Sequence, residues 1–316
     1  MAQKVATRDA YGEALVELGR ERKDIVVLDA DLSKSTKTAG FAKIFPERFF
    51  NMGIAEANLM GTAAGLAAAG KVPFVSTFAV FAAGRAFDQV RNSIAYPHLN
   101  VKICATHAGI TVGEDGASHQ SIEDLALMRA LPGMTVIVPA DGPETKQAVR
   151  AAAAHNGPVY IRLGRSGVPV LFDADYEFTI GRAAVLRRGE DVALFACGIM
   201  VAEALQAARQ LAEKGIRAAV LNVSTLKPLD EEAVVALARQ TGAVVTCEEH
   251  NIIGGLGSAV AEVLGEKCPV PLERVGVRDV FGQSGKPAEL LEHYGLTAAH
   301  IAAAAERALA RKAGRA

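Results

Sequence analysis

Residues 49–70 read FFNMGIAEANLMGTAAGLAAAG, and Glu56 is the single charged side chain among them. An ionised carboxylate in so apolar a run is costly to bury, so it must be protonated, paired, or sharing a proton with a ligand. A helix-start cap or salt bridge answers the same need. From Ile54 onward the run predicts a buried helix, with Leu59, Leu66 and a stripe of small residues, Gly61, Gly65 and Ala69, at four-residue spacing. The helical part is about 16 residues, roughly 24 Å long, too short to span a bilayer comfortably. It also carries Glu56 and Asn58, which marks a core helix of a soluble domain.

Outward from this helix the chain alternates. On the N-terminal side a helix over 7–19 with Ala10, Ala14, Leu15 and Leu18 on one face precedes an apolar strand, Ile25–Leu28, and a polar loop, Asp29 to Ser35. On the C-terminal side come a strand over 72–76 and a helix through FAVFAAGRAFDQVRNSIAYP, with Phe78 and Phe81 on one face at its start. A strand over 101–105 then runs into THAGITVGEDGASHQSIED, residues 106–124, which has the composition of a site loop: two histidines, Glu114, Asp115 and three glycines after a buried strand. Ser121 with Asp124 three residues on predicts a capped helix to Leu131. A strand over 135–138, a helix over 143–154 and a strand over 158–163 complete one alternating domain, residues 1–165.

Residues 166–190 lack a helical period and are placed as a linker. Residues 191–316 alternate again, with strands over 192–196, 218–222, 243–247 and 272–276 and helices near 201–213, 230–240 and 256–264. The fold class is therefore α/β, two domains each built on a mostly parallel sheet with helices on both faces and right-handed crossovers. Polar residues in the loops after the strands, Asp31, Ser33 and Ser35 among them, sit where open parallel sheets bind ligands, although turn chemistry alone explains them as well. GGLGSAV at 254–260 lacks the spacing of a phosphate loop and reads as a tight turn into a helix.

Composition excludes several classes. With 34 basic against 35 acidic residues and a formal net charge of -1, nothing implies a nucleic-acid or membrane partner. The start, MAQKVATRDAYGEAL, has no apolar run that would make a signal or anchor, so the cytoplasm is the expected compartment. Cys104, Cys197, Cys247 and Cys268 form no CxxC pair, which argues against zinc and disulfides. The twelve-residue interval between His107 and His119 fits no metal box either, so no metal ligand is assigned.

The motifs ATRDA (6–10), DADLSKS (29–35), GIAE (53–56), STF (76–78) and above all THAGITVGEDGASHQSIED (106–124) make the chain resemble the C-terminal two thirds of a transketolase: its thiamine diphosphate pyrimidine-binding domain followed by its C-terminal domain. The resemblance implies a transferase that moves a two-carbon ketol unit from a ketose phosphate to an aldose phosphate. Ile54 and Glu56, both in GIAE, would bind the cofactor, Glu56 by a hydrogen bond to N1′ of its aminopyrimidine that favours the tautomer activating the thiazolium carbon. Phe78 and Phe81 would pack the pyrimidine ring, and Asp31 would lie near its thiazolium end. His119 would face the substrate carbonyl oxygen, Asp115 a sugar hydroxyl, and Arg8, Ser35, His107 and Arg165 the sugar phosphate.

One part of the family pattern is missing. The GDG motif with a later asparagine, through which the family's N-terminal domain holds the diphosphate by Mg2+, has no counterpart here; EDG at 114–116 belongs to the histidine stretch and PADG at 139–142 lacks the asparagine. The resemblance is thus to the C-terminal subunit of a split transketolase, with an N-terminal subunit supplying the metal ligands and a dimer of this chain forming the centre of a heterotetramer. A 1-deoxyxylulose 5-phosphate synthase-like enzyme and a 2-oxo acid dehydrogenase beta subunit share the fold and the glutamate and remain alternatives, as does a non-catalytic chain that only stabilises a partner.

Overall fold

The computed structural model describes residues 4–173 and 175–314; residues 1–3, 174 and 315–316, and with them the outer ends of the segments 1–165 and 191–316, lie outside the described residues. Seven strands form the first sheet in the order Thr225–Lys227, Thr135–Ile137, Val159–Arg162, Lys102–Thr106, Val72–Phe78, Ile25–Asp29, Phe49–Asn51. All pairs are parallel except the one made by Thr225–Lys227, which the second half of the chain lends to the sheet edge. The three strands Ile25–Asp29, Val72–Phe78 and Lys102–Thr106 are buried at every residue, because helices cover both faces of the parallel sheet. The second sheet has the order Leu272–Val277, Val244–Asn251, Val192–Ala196, Ala218–Asn222, Ala184–Arg187, parallel except at the last strand.

Residues 166–190, read as linker, carry two strands. Gly167–Pro169 pairs with Lys4–Ala6, and Ala184–Arg187 closes the edge of the second sheet. Both are three or four residues long, too short for a periodic signal. The helices Pro287–His293 and Ala298–Ala313 went unread in the sequence. The second is alanine-rich, so its buried face of Ala298, Ile301, Ala302, Ala304, Ala305 and Ala308 carries little hydrophobic contrast.

The helix expected from Ser121 starts instead at Asp124, with no side-chain cap, while Ser121 bridges back to Ala108. A stronger claim on Asp124 explains the difference. Arg162 Nε donates to Asp124 Oδ2 at 2.9 Å and Nη2 to Oδ1 at 3.2 Å, with side-chain exposures of 6% and 0%. Tyr160 adds a hydroxyl donor to Oδ2 at 2.8 Å. Burial pushes the Asp124 carboxyl up, but the Arg162 guanidinium and the Tyr160 hydroxyl together hold it below its ordinary value.

The Glu56 helix, Glu56–Ala68, buries Glu56, Leu59, Met60, Ala63 and Ala64 against the sheet. Gly61, Gly65 and Ala69 are exposed, and nothing lies within 4 Å of where a Cβ on either glycine would stand. The small-residue stripe is therefore on the surface of the chain, although the sequence predicts the helix as a whole to be buried. At Gly254 and Gly255 the chain does turn tightly into the helix Leu256–Lys267, and the amides a phosphate would need are taken by Glu248, which accepts from Leu256 and Gly257.

Arg162→Met removes the partner of a fully buried carboxylate, a change that costs about 3–5 kcal/mol. Thermal and urea unfolding of the variant are expected to show that loss; a shift below about 1 kcal/mol, the size typical of an exposed pair, would mean that Asp124 is not held as a buried ion pair.

Candidate active site

Sheet order decides which loops meet. Reading across the C-terminal edge of the first sheet, adjacent strands deliver Arg165 after Val159–Arg162, His107 after Lys102–Thr106, Phe78 at the end of Val72–Phe78, Asp31 and Ser35 after Ile25–Asp29, and Asn51 with the turn to Glu56 after Phe49–Asn51. Ligands gather at such an edge because every strand there ends in a loop. Phe78 closes its strand, one element earlier than the helix start where the sequence put it, and Phe81 lies in the first turn of the following helical segment. That segment contains two π-helical stretches, Phe81–Arg85 and Val90–Ala95, a geometry that recurs at functional sites.

The two phenyl rings lie nearly parallel, 10° apart with centroids 6.0 Å apart. His107 stacks on Phe78 at 3.8 Å, and His119 meets Phe81 edge-on at 5.6 Å. His107 Nε2 is 3.0 Å from Arg8 Nη1, which also donates to the Ser35 carbonyl at 3.1 Å. Since guanidinium only donates, Nε2 is the acceptor there. Burial first, and then the cations Arg8 and Arg165, bring His107 down to about 3. His119 is half-buried, with Nδ1 3.0 Å from Ser118 Oγ.

Arg165 is half-exposed; its Nη1 donates to the Val112 carbonyl at 2.5 Å and lies 3.7 Å from Asp115 and 3.8 Å from Glu114. Arg8, Ser35, His107 and Arg165 thus share one corner. Asp115 faces it from the loop. Asp31 is exposed in a left-handed conformation, exchanging two hydrogen bonds with Asn51, and its loop is fixed by buried Asp29, which accepts from Leu32 N, Thr36 Oγ1 and Thr38 Oγ1. Burial raises the Asp29 carboxyl despite those donors.

Glu56 is 2% exposed and finds its partner in Arg85, whose Nη1 donates to both carboxylate oxygens at 3.0 Å. The same guanidinium lies over the Phe81 ring, 4.4 Å from its centroid. Of the three states the lone carboxylate allowed, this chain shows the paired one. Sequence reading missed Arg85 and Asn51; the burial of Glu56 called for a cation, but four-residue spacing from Phe81 gave no reason to choose this arginine. Ile54 is 78% exposed beside this pair, in the turn before the helix.

The donor set fits one end of a cofactor. A flat face on Phe81 and a carboxylate beside it already hold a planar group with N–H donors, the Arg85 guanidinium, and an aminopyrimidine asks for the same two contacts. Among the described residues no cluster of three or more His, Cys, Asp or Glu could hold a metal ion.

Two family models cover the chain: transketolase, pyrimidine binding domain, over residues 3–170, and transketolase, C-terminal domain, over residues 181–301. The chain belongs to the transketolase family. That family depends on thiamine diphosphate. A solved structure described as a split gene transketolase, inactive beta4 tetramer, is 64% identical, with a TM-score of 0.92 over 98% of this chain and 99% of that one. The 6-deoxy-6-sulfo-D-fructose transketolase subunit SqwH of Clostridium sp. (strain MSTE9) is 51% identical, covering 96% of this chain and 95% of its own. Transketolase of Rattus norvegicus is 40% identical over 94% of this chain, which spans 48% of it, so the match is to about half of that enzyme and not to the two thirds expected. Among the described residues no helix is long and apolar enough to cross a membrane.

With its folded value near 3, against an ordinary value of 6.5, His107 stays neutral across pH 5–8. Its depressed value contributes stability that is complete above 6.5 and is lost as pH falls toward 3. Imidazole NMR signals of His107 are expected to be flat from pH 8 to 5; a midpoint near 6.5 would show that the ring is neither buried nor beside the two arginines.

Proposed function

We propose that this chain is the C-terminal subunit of a two-chain transketolase that moves a two-carbon ketol unit from a ketose phosphate to an aldose phosphate. The observation that carries the reading is the corner where Arg8, the Ser35 segment, neutral His107 and Arg165 converge beside the Phe78–Phe81 face and His119. Two guanidinium forks and a neutral imidazole suit a dianionic group at the end of a sugar chain. A sulfonate has the same oxygen geometry, and the name of the Clostridium relative records a sulfonated sugar for that protein. The cation set here accommodates either group.

In this reading Glu56 receives the N1′ side of the aminopyrimidine, Phe78 and Phe81 supply the flat apolar wall, Ile54 lines the turn and Asp31 stands toward the thiazolium end. Bound thiamine diphosphate supplies the carbon nucleophile. His119 donates to the carbonyl oxygen where negative charge develops, and Asp115 accepts from a sugar hydroxyl. To admit the ring, Arg85 must release one or both oxygens of Glu56, an exchange that a half-exposed guanidinium makes cheaply.

The diphosphate and its Mg2+ need ligands from an N-terminal subunit, a view supported by the chain matching about half of the rat enzyme. The exposed Gly61–Gly65–Ala69 face and Ile54 next to the site favour pairing of two copies of this chain at the centre of a heterotetramer. Cytoplasmic chemistry on soluble sugars fits a chain with no membrane-spanning helix among its described residues.

The test is reconstitution with a purified N-terminal subunit, thiamine diphosphate and Mg2+, assayed with phosphorylated, sulfonated and neutral ketose donors. The pair is expected to transfer two carbons from the anionic donors, and the single chain to be silent. Turnover by the single chain at ordinary enzyme rates would end the two-chain reading, and consumption of pyruvate in place of ketose would end the ketol-transfer reading.

Glu56→Gln keeps shape and a donor but cannot pass between ionised and neutral forms. Turnover of the reconstituted pair should fall about 10²- to 10⁴-fold with KM little changed. Unfolding followed in parallel should move only slightly, since the lost ion pair is half-exposed on the Arg85 side. Normal turnover from a destabilised variant would reduce Glu56 to the anchor of Arg85.

A further inference from the structure

The second domain grips the loop that enters the corner described above. Glu249, near the end of the strand Val244–Asn251, is 5% exposed and its Oε1 accepts from the Thr111 backbone N–H at 2.6 Å. Gly109, with φ +82, lies directly against that carboxylate, and any Cβ there would overlap it. From Thr111 the contacts run outward. Ser166 Oγ donates to the Thr111 carbonyl at 3.2 Å, and the next carbonyl, Val112, receives Arg165 Nη1. On the loop's other side Gln120 Nε2 donates to the Gln283 carbonyl at 2.9 Å, while Ser284 and Gly285 stand against Gly116 and Gly113. Residues 109–116 are thus clamped between Glu249 and the segment 283–285, both from the second domain.

The geometry points to Glu249 as a positioning residue of the reaction: through the Thr111 N–H it sets the turn whose Val112 carbonyl aims Arg165 at the anionic end of the substrate. This inference rests on the function proposed above. Glu249 touches neither substrate nor cofactor and acts only through the turn. Without its acceptor the Thr111 amide is buried and unpaired, the turn relaxes, and Arg165 loses a fixed aim while its charge remains. The effect should fall on binding of the anionic group, because Glu56 is held by Arg85 outside this loop, whereas Arg165 takes its aim from the Val112 carbonyl within it. Charge on Glu249 is dispensable for this role. Burial pushes its carboxyl up to about 7, and a neutral amide of the same shape keeps a carbonyl for the Thr111 N–H.

The experiment compares Glu249→Ala and Glu249→Gln in the full chain. Amide hydrogen exchange of the free chain should be faster over 109–116 in the alanine variant and restored in the glutamine variant, with exchange in the sheet strands unchanged. In the reconstituted enzyme the alanine variant should raise KM for the phosphorylated donor about tenfold with kcat within about twofold, leave KM for a neutral donor unchanged, and be rescued by glutamine. Unchanged exchange over 109–116 overturns the inference. So do equal KM losses for anionic and neutral donors, or a fall confined to kcat. If wild-type chains reconstitute no ketol transfer, the proposed function has failed; Glu249 is then judged by exchange and by inorganic phosphate titrated into the free chain, where weakened binding in the alanine variant alone upholds it and equal binding in all three chains overturns it.

Discussion

Arg162 lies between the two sheets with 6% of its side chain exposed, and a guanidinium so placed has to find an acceptor on each accessible side. It finds the two oxygens of Asp124, the Ser121 carbonyl and, across the domain boundary, the Glu249 carbonyl. Three consequences follow from this one demand. The chain after His119 is pinned where it enters its helix, the strand that leads to Arg165 ends at a fixed point, and the second domain is docked by its own backbone. The loop of residues 107–120 is therefore strung between fixed ends, and its inner turns are set by Glu249 and Gln120.

Electrostatics at the corner follow from the same convergence. Burial first, and then Arg8 and Arg165, keep His107 neutral, so its Nε2 accepts from Arg8 and the ring serves as a spacer stacked on Phe78. Arg165 lies 3.7 Å from Asp115 and 3.8 Å from Glu114, so the loop's own carboxylates partly offset its charge.

Much of this was legible in the residues. The alternation of apolar runs and helical periods gave both parallel sheets, since strands buried on two faces must be continuously apolar. The solitary charge of Glu56 announced a carboxylate in need of a partner, and the dense loop from Thr106 announced a site. Short elements escaped: Gly167–Pro169 and Ala184–Arg187 hold too few residues to show a period, and the last helix is so rich in alanine that its two faces look alike. Ser121 was misjudged as a cap because local capping rules carry no knowledge of Arg162, 41 residues away.

Period, burial cost and side-chain type within a few turns of chain settle most of the longer elements, the polar loops that follow the strands and the chemistry each loop can offer. Tertiary structure alone decided what those groups do to one another. Strand order set Arg165, His107, Phe78, Ser35 and Glu56 in a row; it gave Glu56 the guanidinium of Arg85; it turned the Gly61–Gly65–Ala69 stripe outward; and it brought Glu249 to a backbone amide 138 residues distant. Apart from the outward stripe, each of these joins residues far apart in the chain, where pairing is fixed by which sheet edge and which domain face the packing of the whole molecule brings together.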